Sequence, residues 1–335
     1  MKYRTFGHTD LVVSELGFGM WPIGGTIQAG DYGFVDRSEA IRAIHRAIDL
    51  GITLFDTAPA YGDGHGEAVL GEALAGNRSS AIVTTKCAVH WNSATKTWIT
   101  DSSKDSILAS VEKSLSRLRT EYLDILLIHV PDPNAIPAEV MACLESLRRS
   151  GKTRFVGVSN FTVAQVNEYR EFGTIHVQQV GYNLFDRRIE RELLPQSVEM
   201  GVGVMTYGAL CHGLLSGGWT SETEFPEEDW RSKGDVFGLP LFTEQNFATN
   251  IKVTEKLREF ANDINHSLPQ LALAWVLSNE QVSAALVGMR ATLEVEENVK
   301  ALDWPLTPSD ISEISSIMKE AAGTQGSDHY VVNAR

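Results

Sequence analysis

Cysteine is scarce in this 335-residue chain: Cys87, Cys143 and Cys211 are an odd number, widely spaced and without a CxxC pair, which excludes a disulfide framework and suggests no zinc site. That usage fits a reducing cytoplasm. No run of Lys or Arg interrupts a formal net charge of −14, which argues against nucleic acid or an anionic membrane as partner, because both require a positive patch. A solvated acidic surface is the simpler account. No apolar stretch approaches the roughly 20 residues needed to span a bilayer, and the start MKYRTFGHTD has no apolar signal core. Low-complexity tracts, linkers and convincing repeats are also missing, so residues 1–335 read as one domain.

What is present is a succession of short apolar runs: 16–20, 52–55, 81–85, 123–128, 155–159, 177–180, 202–207 and 284–288. They are apolar on both faces, as strands of a covered parallel sheet are. Segments of helical period lie between them. SEAIRAIHRAIDLG places Ile41, Ile44, Ala47 and Ile48 on one stripe ending at Gly51, and KDSILASVEKSLSRL, IPAEVMACLESLRRSG and TVAQVNEYREFG repeat the pattern. Eight such βα repeats in one α/β chain predict a (β/α)8 TIM barrel. A doubly wound sheet normally carries a GxGxxG turn after its first strand, and here that strand runs into MWPIGGT. YRTF and GHTDLVV predict an N-terminal β-hairpin turning at His8 to Asp10 and plugging the barrel bottom. From Gly217 to about Thr243 the chain lacks a period, which predicts a long, mobile loop after strand 7, over the open face.

Asp56, Lys86 and His129 sit just past the strand-like runs ITLF, AIVTT and LDILLI, with Tyr61 in the loop DTAPAYGDG, and side chains there converge at a barrel mouth. A phenol with an ordinary pKa near 10 needs help to move protons at neutral pH; an adjacent cation favours phenolate. Lys86 can supply that cation, Asp56 can hold the ammonium, and His129 can bond a carbonyl oxygen. Singly, each has a bland account: a structural Asp–Lys pair, a loop aromatic, a strand-capping histidine. Jointly they point to general acid–base work on a carbonyl, with Tyr61 as the acid or base. GDGHGE at 62–67 lacks the Lys-Ser/Thr of a phosphate loop and reads as a turn feeding a helix, while His65 and Asp63 lack metal-ligand spacing, so no catalytic metal is expected. Trp21 and Trp91, with Trp98, are expected in the same mouth as an aromatic wall for substrate, although rim tryptophans are also ordinary packing.

FDTAPAYGDGHGEAVLGEAL, TTKC, LLIHVPD, GVSN, QVGYNLFDR and VEENVKA resemble the aldo-keto reductases over nearly the whole chain. The resemblance implies a cytoplasmic barrel oxidoreductase that binds NADP(H), with NAD(H) possible, in extended form and interconverts aldehydes or ketones with alcohols. It further implies that Ser159, Asn160 and Gln179 hold the nicotinamide carboxamide and that Tyr207 stacks on its ring. Gly208, Leu210, His212 and Gly213 would flank the pyrophosphate. Gly288, Arg290, Glu294, Glu297 and Asn298 fall in the adenosine segment, with Arg290 meeting a 2′-phosphate and Glu297 and Asn298 near the adenine. Glu294 departs from the Arg or Gln of many relatives; an acid there repels phosphate and accepts from a ribose hydroxyl. Two alternatives stay open: a cofactor-binding regulatory or redox-sensing subunit with little turnover, and a barrel aldolase using a Schiff base on Lys86.

Overall fold

The computed structural model describes residues 1–25, 32–92, 94–95, 97–227 and 229–326. A two-stranded hairpin, β1 (Tyr3–Thr5) and β2 (Val12–Ser14), precedes eight parallel strands: β3 (Leu16–Gly19), β4 (Leu54–Asp56), β5 (Ile82–Cys87), β8 (Leu123–Ile128), β9 (Thr153–Ser159), β10 (Val177–Gly181), β11 (Gly203–Tyr207) and β12 (Ala284–Gly288). These close into a barrel in chain order, β12 pairing back onto β3 through Ala285 to Leu16 and Gly288 to Gly19. The predicted barrel is therefore present. Its outer helices are α1 (Arg37–Asp49), α2 (His65–Ala73), α3 (Lys104–Leu118), α4 (Pro137–Arg149), α5 (Val163–Arg170), α6 (Leu193–Met200), α7 (Glu244–Asp263), α8 (Leu268–Leu277), α9 (Thr292–Val299) and α10 (Pro308–Ile317).

Local chemistry accounts for these boundaries. Asp36 caps α1 by accepting from the Glu39 N–H, while Thr162, Ser267 and Thr307 open α5, α8 and α10 in reciprocal capping boxes with Gln165, Gln270 and Asp310. In α1 the apolar stripe buries Ile44 and Ala47, and Ile41 and Ile48 pack partly buried against the same core. Turns and helix together follow GDGHGE: Gly64 adopts the left-handed conformation and α2 starts at His65.

Alternation of side chains along the strands sorts the barrel into two cores. Leu54, Ile125, Val177, Met205, Ala284 and Leu286 fill the interior with Phe6, Leu11 and Val13 of the hairpin segment, so the hairpin does plug the bottom. Its loop is bonded there, the His8 N–H donating to Gly201 O just before β11. Phe55, Val83, Leu126, Ile128 and Val180 face outward into the core shared with the helices.

Two features differ from expectation. A second hairpin, β6 (Val89–Asn92) with β7 (Thr97–Thr100), leaves the top of β5. The long segment after β11 is anchored where a mobile loop was expected. Trp219 and Phe225 pack with Phe242 and Phe247 at ring centroid distances of 5.1 to 6.2 Å, and Phe242 N donates to Gly234 O. Aromatic burial without helical period holds the loop, a pattern that periodicity does not detect.

Candidate functional site

The interior parity of the strands determines what meets at the mouth. Counting by twos from Leu54, Ile125, Val177 and Met205 places Asp56, His129, Gln179 and Tyr207 on the inner face at the C-terminal ends, and Lys86 and Ser159 follow the same rule on β5 and β9. Asp56 ends β4 and Lys86 is next to last in β5, inside their strands and not past them, whereas His129 directly follows β8 and Tyr61 lies in the loop after β4 as expected.

Lys86 is buried, and its Nζ donates to Asp56 Oδ1 at 2.7 Å, to Tyr61 OH at 3.0 Å and to the Thr57 carbonyl at 3.0 Å. Burial pushes the Asp56 carboxyl up and the Lys86 ammonium down, while their mutual attraction opposes both shifts. With every ammonium proton accepted by oxygen and Asp56 Oδ2 taking a further bond from Gln179 Nε2 at 2.7 Å, we assign a charged pair. The expected acidification of Tyr61 is not found. Burial, and then the Asp56 charge, raise its pKa well above the ordinary value, because the phenol meets a neutralised pair and not a lone cation. His129 stands edge-on to the Tyr61 ring at 6.0 Å, and burial, with the Lys86 charge, holds it well below its usual pKa, hence neutral.

Packing sets the position of Tyr61. The 3-10 turn Trp21–Gly24 lies against it, Trp21 stacked on the phenol at 6.1 Å and 14°. Gly62, at φ +63°, touches Gly24 so closely that a Cβ would meet its carbonyl oxygen. Behind the loop, Glu67 is fully buried, accepting from Thr85 Oγ1 at 2.7 Å and from Arg117 at 3.0 Å, which ties α2 to the strand carrying Lys86.

One cleft of about 940 Å³ runs from Asp56, Tyr61 and His129 past Ser159, Asn160, Gln179 and Tyr207, along Gly208, Leu210, His212 and Gly213, to Gly288, Arg290, Glu294, Glu297 and Asn298. All the cofactor candidates from the sequence therefore share a wall with the tyrosine. Asn160 spans between elements, donating to His129 O and Ser159 Oγ at 3.1 Å each and accepting from Tyr207 OH at 2.7 Å. Gln179 lines the same cleft with its amide nitrogen engaged by Asp56 and the Met205 sulfur, which leaves its carbonyl oxygen as the atom to face a carboxamide N–H. Arg290 is likewise engaged, bonded to Glu294 at 3.0 Å.

The fit of a dinucleotide can be tested on the loop after β11. Gly208, Cys211, His212 and Gly213 all have positive φ, and among the described residues the backbone N–H groups of Leu210 and His212 bond to nothing in the chain. Unspent N–H groups on a strained loop in a cleft wall suit a pyrophosphate. The residues present fit the group.

Trp21 lines the cleft as expected, and Trp91 does not. It pairs across the β6–β7 hairpin with Trp98, edge to face at 5.2 Å, and Trp98 with Val89 and Thr100 forms the wall. Sequence reasoning missed Tyr32, Trp230, Arg231 and Phe237. Trp230 packs on Trp21 at 5.7 Å, Phe237 on Tyr207 at 5.8 Å, and the Arg231 guanidinium lies clamped by Asp229. For Trp230 and Phe237 the only signal was aromatics within an aperiodic stretch.

The aldo/keto reductase family model matches residues 15–319. The chain belongs to the aldo/keto reductase family. It is thereby an NAD(P)H-dependent oxidoreductase of carbonyl and alcohol groups. It is 34% identical to the aldo-keto reductase YhdN of Bacillus subtilis, over 95% of this chain and 94% of that one. It is 33% identical to an NADH-specific methylglyoxal reductase of Escherichia coli, over 96% and 98%. Among solved structures, a glycerol dehydrogenase of Gluconobacter oxydans superposes with a TM-score of 0.86 at 34% identity, covering 96% of each chain. Among the described residues no helix is long and apolar enough to cross a membrane.

Proposed function

We propose that this aldo/keto reductase reduces an uncharged aldehyde or ketone, or runs the reverse oxidation, with Tyr61 as the proton donor. The observation that carries the reading is the buried Lys86 Nζ held between Asp56 at 2.7 Å and Tyr61 OH at 3.0 Å, two residues that line the long cleft. The chemistry a reduced nicotinamide dinucleotide would supply in this cleft is a hydride for the carbonyl carbon. Tyr61 gives its phenolic proton to the carbonyl oxygen, so that hydride and proton together complete the alcohol. Lys86, held in place by Asp56 and the Thr57 carbonyl, donates to the phenolate that remains, and neutral His129 donates a hydrogen bond that places the carbonyl. Ser159 and Asn160 are suited to the carboxamide, Tyr207 to the ring, and the Gly208–Gly213 loop to the pyrophosphate.

Uncharged substrates fit because Trp21, Tyr32, Trp98 and Phe237 wall the mouth, and the one cation beside them among the described residues, Arg231, is bidentate on Asp229. The aldolase alternative is opposed by Asp56, which keeps Lys86 protonated and so unavailable for a Schiff base. A cytoplasmic setting remains our reading, consistent with three buried free thiols.

Tyr61→Phe should lower kcat for carbonyl reduction by about 10²-fold or more while dinucleotide affinity stays within about two-fold. Comparable turnover in that variant ends the assignment, and a wild type that binds dinucleotide without oxidising it over a broad carbonyl panel favours the regulatory subunit.

A further inference from the structure

The sequence favours NADP(H) because Arg290 offers a guanidinium to a 2′-phosphate, but the structure shows where that guanidinium goes. Arg290 follows the end of β12 by two residues, and Glu294 is the third residue of α9. Glu294 Oε1 accepts from Arg290 Nη2 at 3.0 Å and Oε2 from the Arg290 backbone N–H at 2.6 Å. One carboxylate thus occupies both a side-chain and a main-chain donor where the chain enters a helix, the arrangement that elsewhere receives a phosphate.

We infer that Glu294 sets the cofactor preference of this enzyme, rejecting the 2′-phosphate of NADP(H) and accepting the ribose diol of NAD(H); the inference rests on the proposed oxidoreductase site. A phosphate monoester brings a charge of about −1.5 to −2 near neutral pH. To reach Arg290 it has to displace Glu294 and then lie beside that carboxylate's charge. The neighbouring side chains offer no substitute. Lys300 is paired with Glu297 at 3.3 Å and Arg46 with Glu296 at 2.8 Å, so these cations, like Arg290, are each already matched by a carboxylate. A ribose 2′-hydroxyl carries no charge and donates a hydrogen bond directly to a carboxylate oxygen. The Arg290 and Glu294 side chains are 48% and 36% exposed, so salt screens the repulsion and discrimination weakens at high ionic strength.

The test is direct binding of NADH and NADPH, read by nicotinamide fluorescence, to the wild-type protein and to Glu294→Gln, whose amide oxygen still accepts from the Arg290 N–H. Wild type should bind NADH about ten-fold or more tighter than NADPH at low salt, and Glu294→Gln should tighten NADPH about ten-fold while leaving NADH within about three-fold. NADPH binding as tightly as NADH to wild type, or an unchanged ratio in Glu294→Gln, overturns the inference alone. Failure of both nucleotides to bind wild type overturns the functional reading, and this inference with it.

Discussion

Tyr61 keeps its proton because burial and the Asp56 carboxylate outweigh any help from an ammonium already shared with that carboxylate. A phenol of that kind is poised to give a proton to an oxygen gaining negative charge, and alcohol oxidation, which must first remove the proton, is favoured by higher pH. The same cause, burial, acts on His212, whose ring lies among Trp21, Trp230 and Phe237 and whose pKa falls to about 3, with Arg231 adding to the shift. Unfolded, this imidazole takes a proton near pH 6.5; folded, it does not until about pH 3. The unfolded chain therefore binds the extra proton between those values, and stability falls as pH drops through that window, by roughly 5 kcal/mol for this group alone. Chemical denaturation at pH 7 and pH 4.5 should show His212→Gln losing less stability on acidification than wild type. An equal loss in both proteins rules out this histidine as a source of acid lability.

Among the elements, the strands were legible because a barrel buries both faces of each one, leaving continuous apolar runs such as LDILLI. The β6–β7 hairpin was not, since its VHWN and TWIT strands are partly exposed and short, with a polar turn between. Trp91 and Trp98 could not be told apart in sequence, because which of two paired tryptophans faces the cleft depends on how the hairpin tilts over the mouth. The 3-10 turn Trp21–Gly24 is the element that holds Tyr61 from outside, and Gly62 is where it comes closest. Gly62→Ala places a methyl at an unfavourable positive φ and against the Gly24 carbonyl, and should cost about 1–3 kcal/mol. It should also lower kcat with little change in thermal unfolding cooperativity; wild-type kcat and stability together would show that the contact does not position the phenol.

Across the whole molecule, the barrel separates stability at one end from chemistry at the other. Phe6 is fully buried beneath the interior layer of Leu54, Ile125 and Val177, at the end opposite Tyr61. Phe6→Ala should destabilise by about 3–5 kcal/mol through the cavity it leaves. KM and kcat measured on the folded fraction should stay near wild type. A large kcat loss at full foldedness would mean that the plug transmits to the mouth.

The sequence by itself determined the barrel and the polar residues that meet at its mouth, because continuous apolar runs mark strands buried on both faces and residues at their C-terminal ends converge. Only the tertiary structure decided what those residues do to one another. Distances between strands fixed the Asp56–Lys86 pair and left Tyr61 protonated, bonded Gln179 to Asp56, and closed Glu294 onto Arg290. Charge acts through space, and whether an arginine is available to a phosphate depends on which carboxylate the fold has already brought to it.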